Sequence, residues 1–65
     1  MKLFELKQGD KFKIVPLFEL SSVYVRMGEV PGTAGTKFYV DNPNIGYVYM
    51  ADWDMEVVKV GNIND

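Results

Sequence analysis

The sequence predicts an all-β domain, and three observations carry that prediction. Apolar and polar residues alternate at period two in Val23-Tyr24-Val25-Arg26-Met27, Lys37-Phe38-Tyr39-Val40, Tyr47-Val48-Tyr49-Met50 and Met55-Glu56-Val57-Val58-Lys59-Val60. Each run is only four to six residues long and is bounded by Gly, Pro, Asn or Asp. Aromatic and β-branched residues dominate inside the runs, where a pleated, half-buried surface favours them. Strict alternation sends every second side chain to one face, so the runs read as half-buried strands of an antiparallel sheet.

Taken in order, Lys7-Gln8-Gly9-Asp10 is a turn, with Gly9 where positive φ is wanted and Asp10 able to bond the local backbone. Lys11–Val15 follows as the first strand, with Phe12 and Ile14 on one face, and Pro16 ends it or leaves it at an edge. Leu17-Phe18-Glu19-Leu20 repeats the tetrapeptide at residues 3–6, which is too short to make a duplication. The second strand is read over Val23–Met27. Gly28–Thr36 holds three Gly and one Pro in nine residues and reads as a mobile surface loop. Lys37–Asp41 is the third strand, Asn42–Gly46 a turn, and Tyr47–Met50 the fourth strand. Ala51–Met55 reads as a single helical turn capped by Asp52. Glu56–Val60 is the fifth strand, and residues 61–65 lack any period and are expected to fray.

Five short strands, one long early connection and a one-turn helix before the last strand together predict a small five-stranded antiparallel SH3-like barrel. The competing five-stranded OB-fold barrel needs more chain and a longer helix. Closure would also remove the edge-strand hazard of an open meander. Sixty-five residues allow one domain, read here as residues 1–60 with a short tail.

Composition narrows the function classes. With no Cys and no His, disulfides and the usual zinc ligands are excluded, as are Ser–His, Cys–His and His–metal catalysis. Four Tyr, four Phe and one Trp are a heavy load for so small an interior, so a homo-oligomer is expected. The cysteine-free composition fits a reducing compartment, no run nears the ~18 apolar residues of a membrane span, and the start meets Glu5 too early for a signal peptide. The expected location is the cytoplasm. The net charge of −2 is split, with residues 1–13 at +2 and residues 51–65 at −3. An acidic chain is a poor general nucleic-acid binder, because non-specific affinity rests on phosphate neutralisation by Lys and Arg.

Candidate chemistry is sparse. Ser21-Ser22 has no general base beside it and reads as a turn. Asp52 and Asp54, with Asp41 or Glu56 as neighbours, could gather around a divalent cation, but Asp52–Glu56 lacks the central Gly of a calcium loop and reads as capping. The glycines of residues 28–36 precede a strand rather than a helix, which excludes a phosphate loop. No catalytic residue, metal or cofactor is expected.

Leu6-Lys7-x-Gly9-Asp10-x-Phe12, then Val23-Tyr24-Val25, resembles a group of small phage and prophage proteins of mostly unknown function. Tyr39-Val40-Asp41, Gly46-Tyr47-Val48-Tyr49 and Asp52-x-Asp54-Met55-Glu56-Val57 match the same pattern, so the resemblance spans most of the chain through short motifs. The chain departs from it at Pro16–Ser22, where those proteins are shorter. The resemblance implies a phage accessory protein, one that antagonises a host system by binding it, and no site residue carries across.

The surviving constellation is aromatic. If Val23, Val25 and Met27 point inward, Tyr24 and Arg26 point out; by the same parity Phe38, Val40, Val48 and Met50 go in, and Tyr39, Tyr47 and Tyr49 go out. Trp53 joins them at the rim. Tyr and Arg are enriched in binding hot spots. The sequence therefore predicts a non-enzymatic protein-binding module whose contact face is Tyr24, Arg26, Tyr39, Tyr47, Tyr49 and Trp53, with a host protein as partner. The alternative is a β-barrel that binds single-stranded nucleic acid or a small ligand, for which only Arg26 and Lys37 supply nearby positive charge.

Overall fold

The computed structural model describes residues 1–16 and 20–65. Most of the repeated tetrapeptide Leu17-Phe18-Glu19-Leu20 lies outside the described residues. The elements are a 3-10 turn at Leu3–Glu5, then β1 (Asp10–Ile14), β2 (Tyr24–Glu29), β3 (Lys37–Asn42), β4 (Tyr47–Asp52) and β5 (Val57–Asn62). All strand pairs are antiparallel, in the order β4-β3-β2-β1-β5. The protein is all-β, as the alternation predicts. The sheet is open: β4 and β5 are its two edges and do not pair, so the predicted closure is not seen.

The one-turn helix is not where the sequence reading put it. Asp52 ends β4, opposite Lys37, and its side chain is ion-paired with the Lys37 ammonium. Trp53 N–H then donates to the Thr36 carbonyl (2.9 Å), and Met55 N–H to the Asp52 carbonyl (3.2 Å), which makes a reverse turn rather than a helix. The 3-10 turn forms at Leu3–Glu5 instead. The Glu5 carboxylate accepts from Lys2 N–H (3.1 Å), and Leu6 N–H donates to the Leu3 carbonyl (3.1 Å).

The predicted turn at residues 7–10 is present. Gly9 has φ +93°, Asp10 N–H donates to the Lys7 carbonyl (3.0 Å), and Lys7 N–H donates to the Asp10 carboxylate (2.8 Å). The predicted turn after β3 also forms: Gly46, at φ +64°, donates to the Asn42 carbonyl (2.8 Å), and the Asn42 side chain accepts from Asn44 N–H (3.1 Å).

The loop after β2 starts later than predicted, because Gly28 and Glu29 belong to the strand. Its backbone is stitched by the Thr33 hydroxyl to the Val30 carbonyl (2.7 Å) and by Thr36 N–H to the Thr33 carbonyl (3.0 Å). Pairing also runs past Val60. Gly61 and Asn62 lie opposite Lys11 and Asp10, and Ile63 N–H donates to the Gly9 carbonyl (2.9 Å), so fraying does not begin where the loss of period suggested.

One face of the sheet carries the core. Phe12, Phe38, Val40 and Val57 cluster under Leu3 and Leu6, with Ile14, Tyr24, Ala51 and Met55 packed against them. The N-terminal segment lies across the β4–β5 connection, where Leu3 N–H donates to the Met55 carbonyl (2.9 Å) and Phe4 N–H to the Trp53 carbonyl (3.0 Å). Phe12, Leu3 and Val57 are completely buried. Among the described residues, no helix is long and apolar enough to cross a membrane.

Candidate functional site

Register decides which side chains share a face. Phe12 lies opposite Tyr24, Val40 opposite both Arg26 and Tyr49, and Phe38 opposite Ala51. Directly opposed residues project from the same side of a sheet. Tyr24, Arg26 and Tyr49 therefore stand on the core face with Phe12, Val40 and Phe38, and Tyr47, two residues from Tyr49, stands with them. Tyr39 lies opposite Met50 on the other face.

This corrects the predicted parity in two strands. In β2 the apolar run Val23-Tyr24-Val25 offers both faces a hydrophobe, so pairing with Phe12 selects Tyr24 for the core side. In β4 the run Tyr47-Val48-Tyr49-Met50 is apolar at every position, and pairing with Val40 turns Tyr49 inward. Val48 and Met50 consequently face solvent at 53% and 65% exposure. The predicted parity holds in β3, where Phe38 and Val40 are buried.

The result is an aromatic row at the margin of the core. The Phe12 and Tyr24 rings stack at 5.7 Å, Tyr24 meets Tyr49 edge-on at 6.3 Å, and Tyr49 tilts against Tyr47 at 4.8 Å. Exposure climbs along the row from fully buried Phe12 to Tyr47 at 59%. Beside it opens a cavity of about 250 Å³ lined by Phe12, Ile14, Tyr24, Val40, Tyr49, Ala51 and Met55. All seven lining residues are apolar or aromatic, and the phenol groups of Tyr24 and Tyr49 are the only polar side-chain atoms among them.

The other expected contact residues lie elsewhere. Trp53 sits at the far end of β4 from Tyr47 and packs on Phe4 at 5.1 Å, forming a second, separate aromatic pair. The Arg26 guanidinium lies 4.0 Å over the Phe38 ring, a cation–π contact, and its Nε is buried without a hydrogen-bond partner among the described residues. Burial pulls this guanidinium below its ordinary value, opposed by the charges of Asp10 and Glu29. Of the six predicted residues, the structure brings Tyr24, Tyr47 and Tyr49 together, and places Arg26 deeper, Trp53 apart and Tyr39 behind.

The sequence places Phe12 and Ile14 on one face and Val40 inward, but puts Ala51 and Met55 in a helical turn rather than beside a cavity. No local signal marks an open cavity, because its lining is gathered from four strands and the Met55 segment, which only the tertiary arrangement brings together. Phe4 was missed as the partner of Trp53.

Three carboxylates, Asp10, Asp52 and Glu56, are ion-paired. Asp10, 3% exposed, accepts from Lys7 N–H and from the Asn62 amide (2.8 Å) and faces the Lys59 ammonium at 3.4 Å. The Lys7 and Asn62 hydrogen bonds, with Lys59 adding to them, hold its carboxyl below the ordinary value of 3.8. Glu56 is lowered in the same way by the amino group of Met1 and by Lys2. Among the described residues, no group of three or more acidic side chains is placed to hold a metal ion.

Comparison with family models, with curated proteins and with solved structures gives no match. The geometry of the core face and its margin is therefore what bears on function.

Proposed function

We propose that this chain is a non-enzymatic protein-binding module whose aromatic row and adjoining cavity receive an apolar anchor side chain from a partner protein. The observation that carries this reading is the row Phe12–Tyr24–Tyr49–Tyr47 running from the buried core to solvent beside an apolar cavity. At about 250 Å³ the cavity falls below the roughly 300–1,000 Å³ of small-molecule sites. That size suits one inserted side chain better than a metabolite. Tyr47 and Tyr49 flank it as rigid, amphipathic contact area of the kind that dominates protein interfaces. The contact set is Tyr24, Tyr47 and Tyr49, with Arg26 held back over Phe38.

We read the sheet as an SH3-like barrel that remains open between β4 and β5. Five strands, a long connection after β1 and the strand order support this reading. The resemblance to small phage proteins makes an accessory factor or an inhibitor of a host system, acting in the host cytoplasm, the setting that best suits such a module.

Selection of peptides on the immobilised protein, followed by calorimetry, tests the reading. Tyr49→Ala is expected to weaken a selected peptide at least about tenfold, as hot-spot truncations do, with circular dichroism unchanged. Binding that ignores Tyr49→Ala overturns the reading. Binding of single-stranded oligonucleotides that falls steeply with salt would replace it with the nucleic-acid alternative.

A further inference from the structure

We infer that two copies of this chain pair through β4, antiparallel about a two-fold axis, to make one continuous ten-stranded sheet. The inference rests on the backbone edge of β4 and not on the proposed function, although Tyr49, which lines the cavity, lies at the centre of the seam.

β4 is the unpaired edge next to β3. Its residues Tyr47, Val48, Tyr49 and Met50 are 59%, 53%, 39% and 65% exposed, so both faces of the strand are apolar and wet. Edge strands in soluble proteins are normally blunted by Lys, Pro, a bulge or a covering segment. Among the described residues β4 has none of these: it pairs with β3 through six consecutive residues without a register shift. The opposite edge is covered at its start and carries a Lys in its middle, between the exposed Val58 and Val60. There Val57 N–H donates to the Met1 carbonyl (2.8 Å), Lys2 bridges Glu56, and Lys59 projects from the strand.

The backbone fixes which groups are free. Trp53 N–H donates to the Thr36 carbonyl, and Val30 N–H donates to the Lys37 carbonyl. Alternation along an antiparallel ladder then turns Tyr47, Tyr49 and Ala51 toward β3, and leaves the N–H and C=O of Val48 and Met50 and the N–H of Asp52 pointing outward, the Asp52 carbonyl being taken by Met55 N–H. A second copy satisfies those groups when Tyr49 lies opposite Tyr49 of the second copy and Met50 opposite Val48. Asp52 then faces Gly46, so no like charges meet. Asp52 is the only charged side chain on β4, and it is already paired with Lys37. The seam is self-complementary, as a two-fold interface requires. With six strand residues a side against about 20–30 in a standard interface, the dimer is expected to depend on concentration.

Sedimentation velocity and amide hydrogen exchange over about a hundredfold range of concentration test this by mass action. The expected result is a shift from 7.4 kDa to twice that mass. Slower exchange should appear at the N–H groups of Val48, Met50 and Asp52, and not at Tyr47, Tyr49 or Ala51. Met50→Lys should stay monomeric with an unchanged amide spectrum otherwise. A protein that stays monomeric throughout, or dimerises with protection elsewhere, overturns the inference. So does a Met50→Lys variant that folds and still dimerises.

Discussion

The two edges of the sheet are built to opposite specifications. At β5 the start of the strand and its contacts with β1 close the molecule: Val57 is fully buried, Asp10 is held by Lys59 and Asn62, and the N-terminal segment lies against Val57, while Val58 and Val60 stay exposed on either side of Lys59. At β4 four consecutive apolar side chains are exposed, and only Asp52 is charged. The same fold thus pairs and covers one edge and leaves the other open, and the open edge is where the proposed contact surface lies.

The comparison can be broken by substitutions on each side. Phe12→Ala, in the middle of the core, should destabilise by about 3–5 kcal/mol. On a domain of this size, stable by about 3–10 kcal/mol in total, that is enough to unfold much of the population at room temperature; chemical denaturation measures it. Leu3→Ala, which opens the cover over Val57, should cost about 2–5 kcal/mol by the same measurement.

Asp10 gives the β5 side a pH signature. Its carboxyl titrates lower in the folded chain than in the unfolded one. Its contribution is therefore complete above the ordinary carboxylate value and is lost as pH falls through the lower folded value. Asp10→Asn should lower stability at neutral pH and flatten the acid limb of the melting temperature against pH. An unchanged acid limb would mean that the Asp10 contacts contribute nothing.

On the β4 side the effects on stability should be smaller and those on association larger. Tyr49→Ala removes edge contacts with Tyr24 and Tyr47 and should cost about 1–2 kcal/mol, while it abolishes most peptide affinity. Met50→Lys, on the outward face, should stay within about 0.5 kcal/mol of the parent and should act on self-association alone. If the β4 variants destabilise as much as Leu3→Ala, the division between the two sides fails.

Much of the fold was legible because local signals agreed with one another. Gly9 and Asp10 announced their turn, Asn42–Gly46 announced another, and Phe12, Phe38 and Val40 marked the core face by alternation with Lys and Tyr. The parity of β2 and β4 was not legible, because both strands carry hydrophobes on both faces and only the partner strand chooses between them. The helical turn was misplaced for a related reason. Asp52 reads as a cap from its neighbours, but its pairing with Lys37 keeps it in the ladder. Glu5, three residues after Lys2, was the signal for the true turn. Of the six residues expected on one face, Tyr24, Tyr47 and Tyr49 lie together, Tyr47 and Tyr49 because they share a face whichever way their strand is turned.

Chemical-shift mapping of the isotopically labelled protein with a selected peptide tests the central claim most directly. The account predicts perturbations gathered at Ile14, Tyr24, Tyr47, Tyr49, Ala51 and Met55, leaving Asp10, Val57 and Lys59 still. Perturbations centred on β5 and the N-terminal segment, with the aromatic row unmoved, would contradict it.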